Sequence, residues 1–247
     1  GSAANPRTYA NVSGDKSVTA NFAIDTYTLA YTAGSNGSIT GTSPQTVNYG
    51  SYGSQVSAVP AVGYHFVDWT DGSKMNPRID TNIVSAVTVT ANFGINAYIL
   101  AYEADANGSI TGVNPQPVNH GAGAAQVSAV PAPGYHFVNW SDGATTNPRA
   151  DANVVSNITA TATFAVNTYT LTYTAGPSGS VTGTSPQTVE YLASGTTMTA
   201  VPDSGYHFVD WSDGLTANPR TEASVSGDVV VTANFSEAWR LLYTAGP

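Results

Sequence analysis

Val87-Thr88-Val89-Thr90-Ala91-Asn92-Phe93 alternates apolar and polar side chains without a break. The valines, the alanine and the phenylalanine fall on one face, and the threonines and the asparagine on the other. A period of two predicts a strand with one face turned to a core. The pattern returns at Ile158-Ala160-Ala162-Phe164 and at Val229-Val231-Ala233-Phe235, and an earlier Val18-Ala20-Phe22 shares it. Other marks keep the same step. Asn-Pro-Arg begins at Asn5, Asn76, Asn147 and Asn218, and Gly-Tyr-His-Phe-Val at Gly63, Gly134 and Gly205. Every interval is 71 residues, with no insertion between marks. A fixed period of this length signals a modular array.

Counting from the marks, residues 25–95, 96–166 and 167–237 are full repeats. Residues 5–24 read as the second half of a repeat, and 238–247 as the first strand of another. Both ends therefore fall inside a repeat, as in an excerpt of a longer array, and Gly1-Ser2 reads as an expression remnant. Each repeat is near the size at which a core is barely sufficient without metal or disulfides. The 247 residues contain no Cys. The formal net charge is −9, with only seven Lys and Arg. That balance argues against nucleic acid and anionic membrane surfaces, which need basic patches. Charged residues make up 9% of the chain. A solvent face of hydroxyls and amides fits an exported bacterial surface protein better than a cytosolic enzyme. No apolar run is long enough to span a membrane as a helix.

Within the first repeat, Tyr27-Leu29-Tyr31 alternates with threonine and alanine and predicts an opening strand. Trp239-Leu241-Tyr243 repeats it near the C-terminus. Asn36-Gly37 marks a turn, and a short strand after it would close a hairpin with the first. Residues 49–54 and their equivalents differ most between copies and read as a loop. Val56 and Ala58 belong to a further strand, ended by Pro60. The strand from Tyr64 to Trp69 ends at the Asp71-Gly72 turn. Strict alternation would put Tyr64 and Phe66 on one face, and Val67 and Trp69 on the other. No segment holds a 3.6-residue period. The expectation is a mainly β fold: small modules of four or five short strands, with at most one short helix. Linkers of four residues should restrict swinging. Modules roughly 30 Å across would then line up as an elongated rod on the order of 80–90 Å.

The repeated residues suggest two kinds of role. Trp69, Trp140 and Trp211 are candidate ligand-binding platforms, because sugar rings stack on indole faces. The competing and favoured reading makes them core, since a module this small needs large apolar side chains. Arg78, Arg149 and Arg220 each follow Asn-Pro, with Asp71, Asp142 and Asp213 a few residues upstream. Structural Arg–Asp ion pairs are expected there, holding the long loop; an anion-binding arginine is the alternative. One His per repeat is not a metal-ligand spacing. No metal site, cofactor motif or catalytic motif is recognised. Three identical active sites in a row would be unusual.

The succession Tyr-x-Leu-x-Tyr, Asn-Gly-Ser-Ile-Thr-Gly, Gly-Tyr-x-Phe-x-x-Trp and Val-Thr-Ala-Asn-Phe resembles the divergent internalin B-repeats, relatives of the Listeria–Bacteroides repeats of bacterial surface proteins. The resemblance covers nearly the whole chain. It implies tandem β-grasp-like modules serving as stalks or adhesive segments, and it supplies no catalytic residues. The Asn-Pro-Arg element and its long loop are an elaboration on that pattern. Intramolecular Lys–Asn isopeptide bonds are not expected, because Lys16 and Lys74 occupy non-equivalent positions and later repeats have no lysine.

The expected function is a non-enzymatic structural or stalk segment of a cell-surface or secreted bacterial protein, monomeric and without cofactors. Its expected partners would be a host or matrix protein or a glycan. The alternative is a multivalent carbohydrate-binding array built on the repeated tryptophans and tyrosines.

Overall fold

The computed structural model describes residues 4–238. Gly1-Ser2 and the expected strand at Trp239-Leu241-Tyr243 lie outside the described residues. The chain divides after Asn96 into two compact units. The first contains one module and the second contains two.

The first module has six strands: β1 (Thr26–Ala33), β2 (Gly37–Thr40), β3 (Gln45–Asn48), β4 (Ser57–Pro60), β5 (Tyr64–Trp69) and β6 (Val87–Ile95). Four form a mixed sheet in the order β3-β1-β6-β5. Its centre is the parallel pair β1 and β6, with Leu29 opposite Val87 and Tyr31 opposite Val89. β3 and β5 add antiparallel edges. β2 and β4 form a separate two-stranded ribbon. No helix occurs among the described residues. The module is thus a mainly β repeat with one strand more than the upper expectation. The addition is β3, whose four residues follow Pro44 and show no clear alternation. The expected hairpin between the first two strands does not form, because β1 already has β3 and β6 on its two edges.

The second module repeats this as β7 (Ala97–Ala104), β8 (Gly108–Gly112), β9 (Gln116–Asn119), β10 (Val127–Pro131), β11 (Tyr135–Trp140) and β12 (Ile158–Val166). The third contains β13 (Thr168–Ala175), β14 (Gly179–Thr182), β15 (Gln187–Glu190), β16 (Thr199–Pro202), β17 (Tyr206–Trp211) and β18 (Val229–Glu237). The pairings correspond strand for strand.

Each module has its own core. In the first, Leu29, Tyr31, Val56, Ala58, Trp69 and Val89 are buried with Ile83 and Ala91. The alternating residues of β1 and β6 supply the floor, as their period requires. The aromatic strand departs from strict alternation. The register against β6 shifts between Phe66 and Asp68, leaving Val67 as the extra residue of a β-bulge. A bulge inverts the parity of the residues beyond it. Phe66 and Trp69 therefore both face inward, with ring centroids 5.8 Å apart. Val67 points out, 41% exposed. The same shift occurs in the other two modules.

Residues 4–24 contain no strand, and their side chains are exposed. The strand expected at Val18-Ala20-Phe22 does not form. In a full module its counterpart sits between β1 and β5, and among the described residues this segment pairs with neither such strand.

Candidate functional site

The most distinctive constellation in each module lies beneath the tryptophan. Trp69 is fully buried. Its indole nitrogen donates to the Met75 carbonyl at 2.9 Å, and Tyr31 meets its ring edge-on at 5.9 Å between centroids. Removing an indole of this size from water, on the order of 200 Å², contributes about 5 kcal/mol. Trp140 and Trp211 are equally buried, and their nitrogens donate to the Thr146 and Ala217 carbonyls at 3.1 Å. None of the three indoles presents a face to solvent in this fold. The bulge causes this, by turning Trp69 to the same side as Phe66.

The Arg78 guanidinium lies against that aromatic cluster, 5.4 Å from the Trp69 ring and 5.9 Å from Tyr31. A cation over aromatic faces is attracted by the ring quadrupole. The residue is buried, so its charge needs carboxylate partners. Arg78 Nη2 is 2.7 Å from Asp71 and 2.8 Å from Asp80. Asp80 takes the fork, accepting from Nε and Nη2 at 2.8 Å each, and also accepts from the Tyr31 hydroxyl at 2.6 Å. Arg149 is placed likewise, 2.7 Å from Asp142 and 2.8 Å from Asp151, with Tyr102 donating to Asp151.

The second acid of each cage was not singled out in the sequence. Its signal is present, because an acidic residue stands two positions after Arg in every full repeat: Asp80, Asp151 and Glu222.

The third cage differs. Arg220 meets Asp213 through Nη1 and Nη2 at 3.1 and 2.8 Å, as Arg78 meets Asp71, but only Oε1 of Glu222 is engaged, accepting from Nε at 2.7 Å. Glutamate is one methylene longer than aspartate. Its carboxylate makes no direct hydrogen bond to the tyrosine, and the buried Tyr173 hydroxyl has no hydrogen-bond partner among the described residues.

The electrostatics follow from this geometry. The hydrogen bond from Arg78 holds Asp71 below the usual carboxylate range. Burial pushes Asp80 up, but the bonds from Arg78 and Tyr31 outweigh it and the net direction is down. Asp142, Asp151 and Asp213 are lowered, chiefly by hydrogen bonds from their arginines. Burial raises Tyr31, Tyr102 and Tyr173. Groups shifted in these directions are poor acids and bases near neutrality. Among the described residues, no three His, Asp or Glu side chains converge as metal ligands would.

The rest of Asn-Pro-Arg also faces inward. The Asn76 side chain accepts from the Ala58 amide at 2.9 Å and donates to its carbonyl at 2.8 Å, bracing β4. The Arg78 backbone bridges Val56. The Asn76–Pro77 peptide is cis, as in the other copies. A buried glutamine ties down each variable loop: Gln45 to the Ser54 backbone, Gln116 to Ala125 and Gln187 to Thr196. Exposed side chains vary along that loop, with Tyr52 at 70% and Leu192 at 56%. In the second module, small residues leave a shallow recess beside Pro117 and Ala122, lined by no charged side chain.

A family model described as the divergent InlB B-repeat domain matches the chain three times in tandem, at residues 27–97, 98–168 and 169–238. Domains of this kind occur in bacterial surface or extracellular proteins and are generally non-enzymatic. With three matches across most of its length, the chain belongs to the divergent InlB B-repeat domain family.

Proposed function

We propose that this segment is a non-enzymatic structural array which extends or presents other parts of a surface or secreted bacterial protein. One observation supports this most strongly: the residues that repeat are the ones that build each interior. Trp69, Arg78, Asn76 and Gln45, with their counterparts, are engaged with their own module. The chemically versatile side chains are thus occupied, and the variable ones lie on exposed loops. Any selective contact with a host protein, matrix protein or glycan would fall on those loops, around Tyr52 and Leu192.

The test places the chain between a cell-surface anchor and a folded reporter. Access of an antibody to the reporter should improve with each added module. It should be unchanged when Tyr52 and Leu192 are replaced by serine. Access independent of module number would overturn the proposal. Saturable binding of the chain to cell-surface glycans, abolished by the loop substitutions, would move the function to adhesion.

A further inference from the structure

Within the second compact unit, the last strand of one module leads into the first strand of the next with a single residue between them. β12 ends at Val166, β13 begins at Thr168, and Asn167 stands alone. Asn167 makes contacts through three polar groups, two with the second module and one with the third. Its amide donates to the Gly134 carbonyl at 2.8 Å. Its side-chain oxygen is 2.8 Å from Nδ1 of His136. Both of those residues belong to the second module. Its own carbonyl accepts from the Tyr191 amide of the third module at 2.9 Å.

Gly134 and Tyr191 complete the arrangement. A Cβ on Gly134 would lie 1.9 Å from the Tyr191 ring, far inside contact distance. The ring therefore sits on bare backbone. Two internal comparisons show that this comes from having a module on each side. Gly205 holds the equivalent place in the third module with a similar positive φ, 87° against 81° for Gly134, yet among the described residues a Cβ there would meet nothing within 4 Å. Tyr49 is the counterpart of Tyr191 in the first module, where the preceding residues lack the Gly-Tyr-His-Phe strand; it is 54% exposed, whereas Tyr191 is half-buried.

Each half of the clamp also recurs separately. Asn96 donates to Gly63 and meets His65 at 2.9 Å, Ala238 donates to Gly205, and Tyr49 donates to Asp25.

We infer that Asn167, Gly134, His136 and Tyr191 form a built joint that fixes the third module on the second, with Asn167 as pivot and Gly134 as seat for the Tyr191 ring. A one-residue linker limits reach but leaves two backbone dihedrals free. The hydrogen bonds and the seated ring remove that freedom. The inference goes beyond the presenting role and stands whether or not that role is correct.

The absence of Cys makes a direct test clean. Thr145 and Thr216 are exposed and occupy equivalent positions in the two modules. Spin labels on T145C and T216C in the full chain should give a narrow distance distribution. Gly134→Ala should broaden it severalfold. Gly205→Ala, which carries the same backbone strain without the ring, should leave it unchanged. Should Gly134→Ala unfold the second module, Tyr191→Ala decides, since that ring leaves its own module's core intact; it too should broaden the distribution. A broad distribution in the parent, or one unchanged by Tyr191→Ala, would overturn the inference. So would equal broadening by Gly205→Ala.

Discussion

Residues 5–24 and 76–95 carry closely related sequences, and only the second takes part in a sheet. Both open with Asn-Pro-Arg and both contain Val-Thr-Ala-Asn-Phe. Val89 is 4% exposed, but its counterpart Val18 is 49% exposed. Phe93 is half-buried against Phe66, whereas Phe22 is 92% exposed. Arg78 is caged by two carboxylates, while Arg7 lies over Tyr9 at 4.4 Å. The shared Val-Thr-Ala-Asn-Phe stretch has the same alternation and β propensity in both, although Lys16 stands where Val87 does, so that stretch alone does not make the strand. The difference is the company: a parallel neighbour on one edge, an antiparallel one on the other, and an indole above the guanidinium. β propensity largely measures how a side chain packs on its neighbours.

That comparison can be broken from inside a full module. The largest effect should come from Trp140→Ala, which removes the roof of the cage. It should cost about 3–5 kcal/mol and leave β7 and β12 exchanging amide hydrogens as freely as residues 5–24. Because the cores are separate, exchange in β1 and β6 should not change. Peptide-level hydrogen exchange reads both outcomes.

Arg78→Ala comes next. It leaves Asp71 and Asp80 without their cation, at about 3 kcal/mol, the low end for a buried pair because the carboxylates are partly solvated. Arg7→Ala should change stability by less than about 0.5 kcal/mol, since Arg7 has no cage to lose. Denaturant titration of the two variants compares the two contexts directly.

Acid should act in the same direction more gradually. The five cage aspartates are held below their unfolded value of about 4, so their contribution is complete above that pH and is lost as pH falls through the lower folded values. Circular dichroism at descending pH should therefore show the modules loosening below about pH 4. Arg78→Ala should flatten the acid dependence of the first module.

The smallest effect is a gain. Glu222→Asp should return a partner to the buried Tyr173 hydroxyl and stabilise the third module by about 1 kcal/mol. Thermal melting of the variant beside the parent measures it.

The parts legible in the sequence are those governed by local periodicity. β1 and β6 could be read because one face of each is buried along most of its length. Arg78 pairs with Asp71, Arg149 with Asp142 and Arg220 with Asp213, at a spacing that recurs in every full repeat. The parity of β5 was not legible, because a bulge adds a residue without changing the composition of the strand. That one residue decides whether Trp69 faces sugar or core. β3 was missed for a different reason: its inward residue is Gln45, a polar side chain buried by backbone bonds that no hydropathy pattern reveals. Asp80 was overlooked although its spacing from Arg78 recurs, since nothing local shows that Tyr31 will donate to it from 49 residues away.

The central claim is that the repeated tryptophans belong to the interior. Trp239→Phe removes the one indole outside the described residues and leaves Trp69, Trp140 and Trp211 as the only indoles, which excitation beyond the tyrosine band reads alone. In this variant, the account predicts blue-shifted fluorescence that acrylamide quenches weakly and that a panel of glycans leaves unchanged. Strong quenching before unfolding, or a saturable response to a glycan, would contradict it.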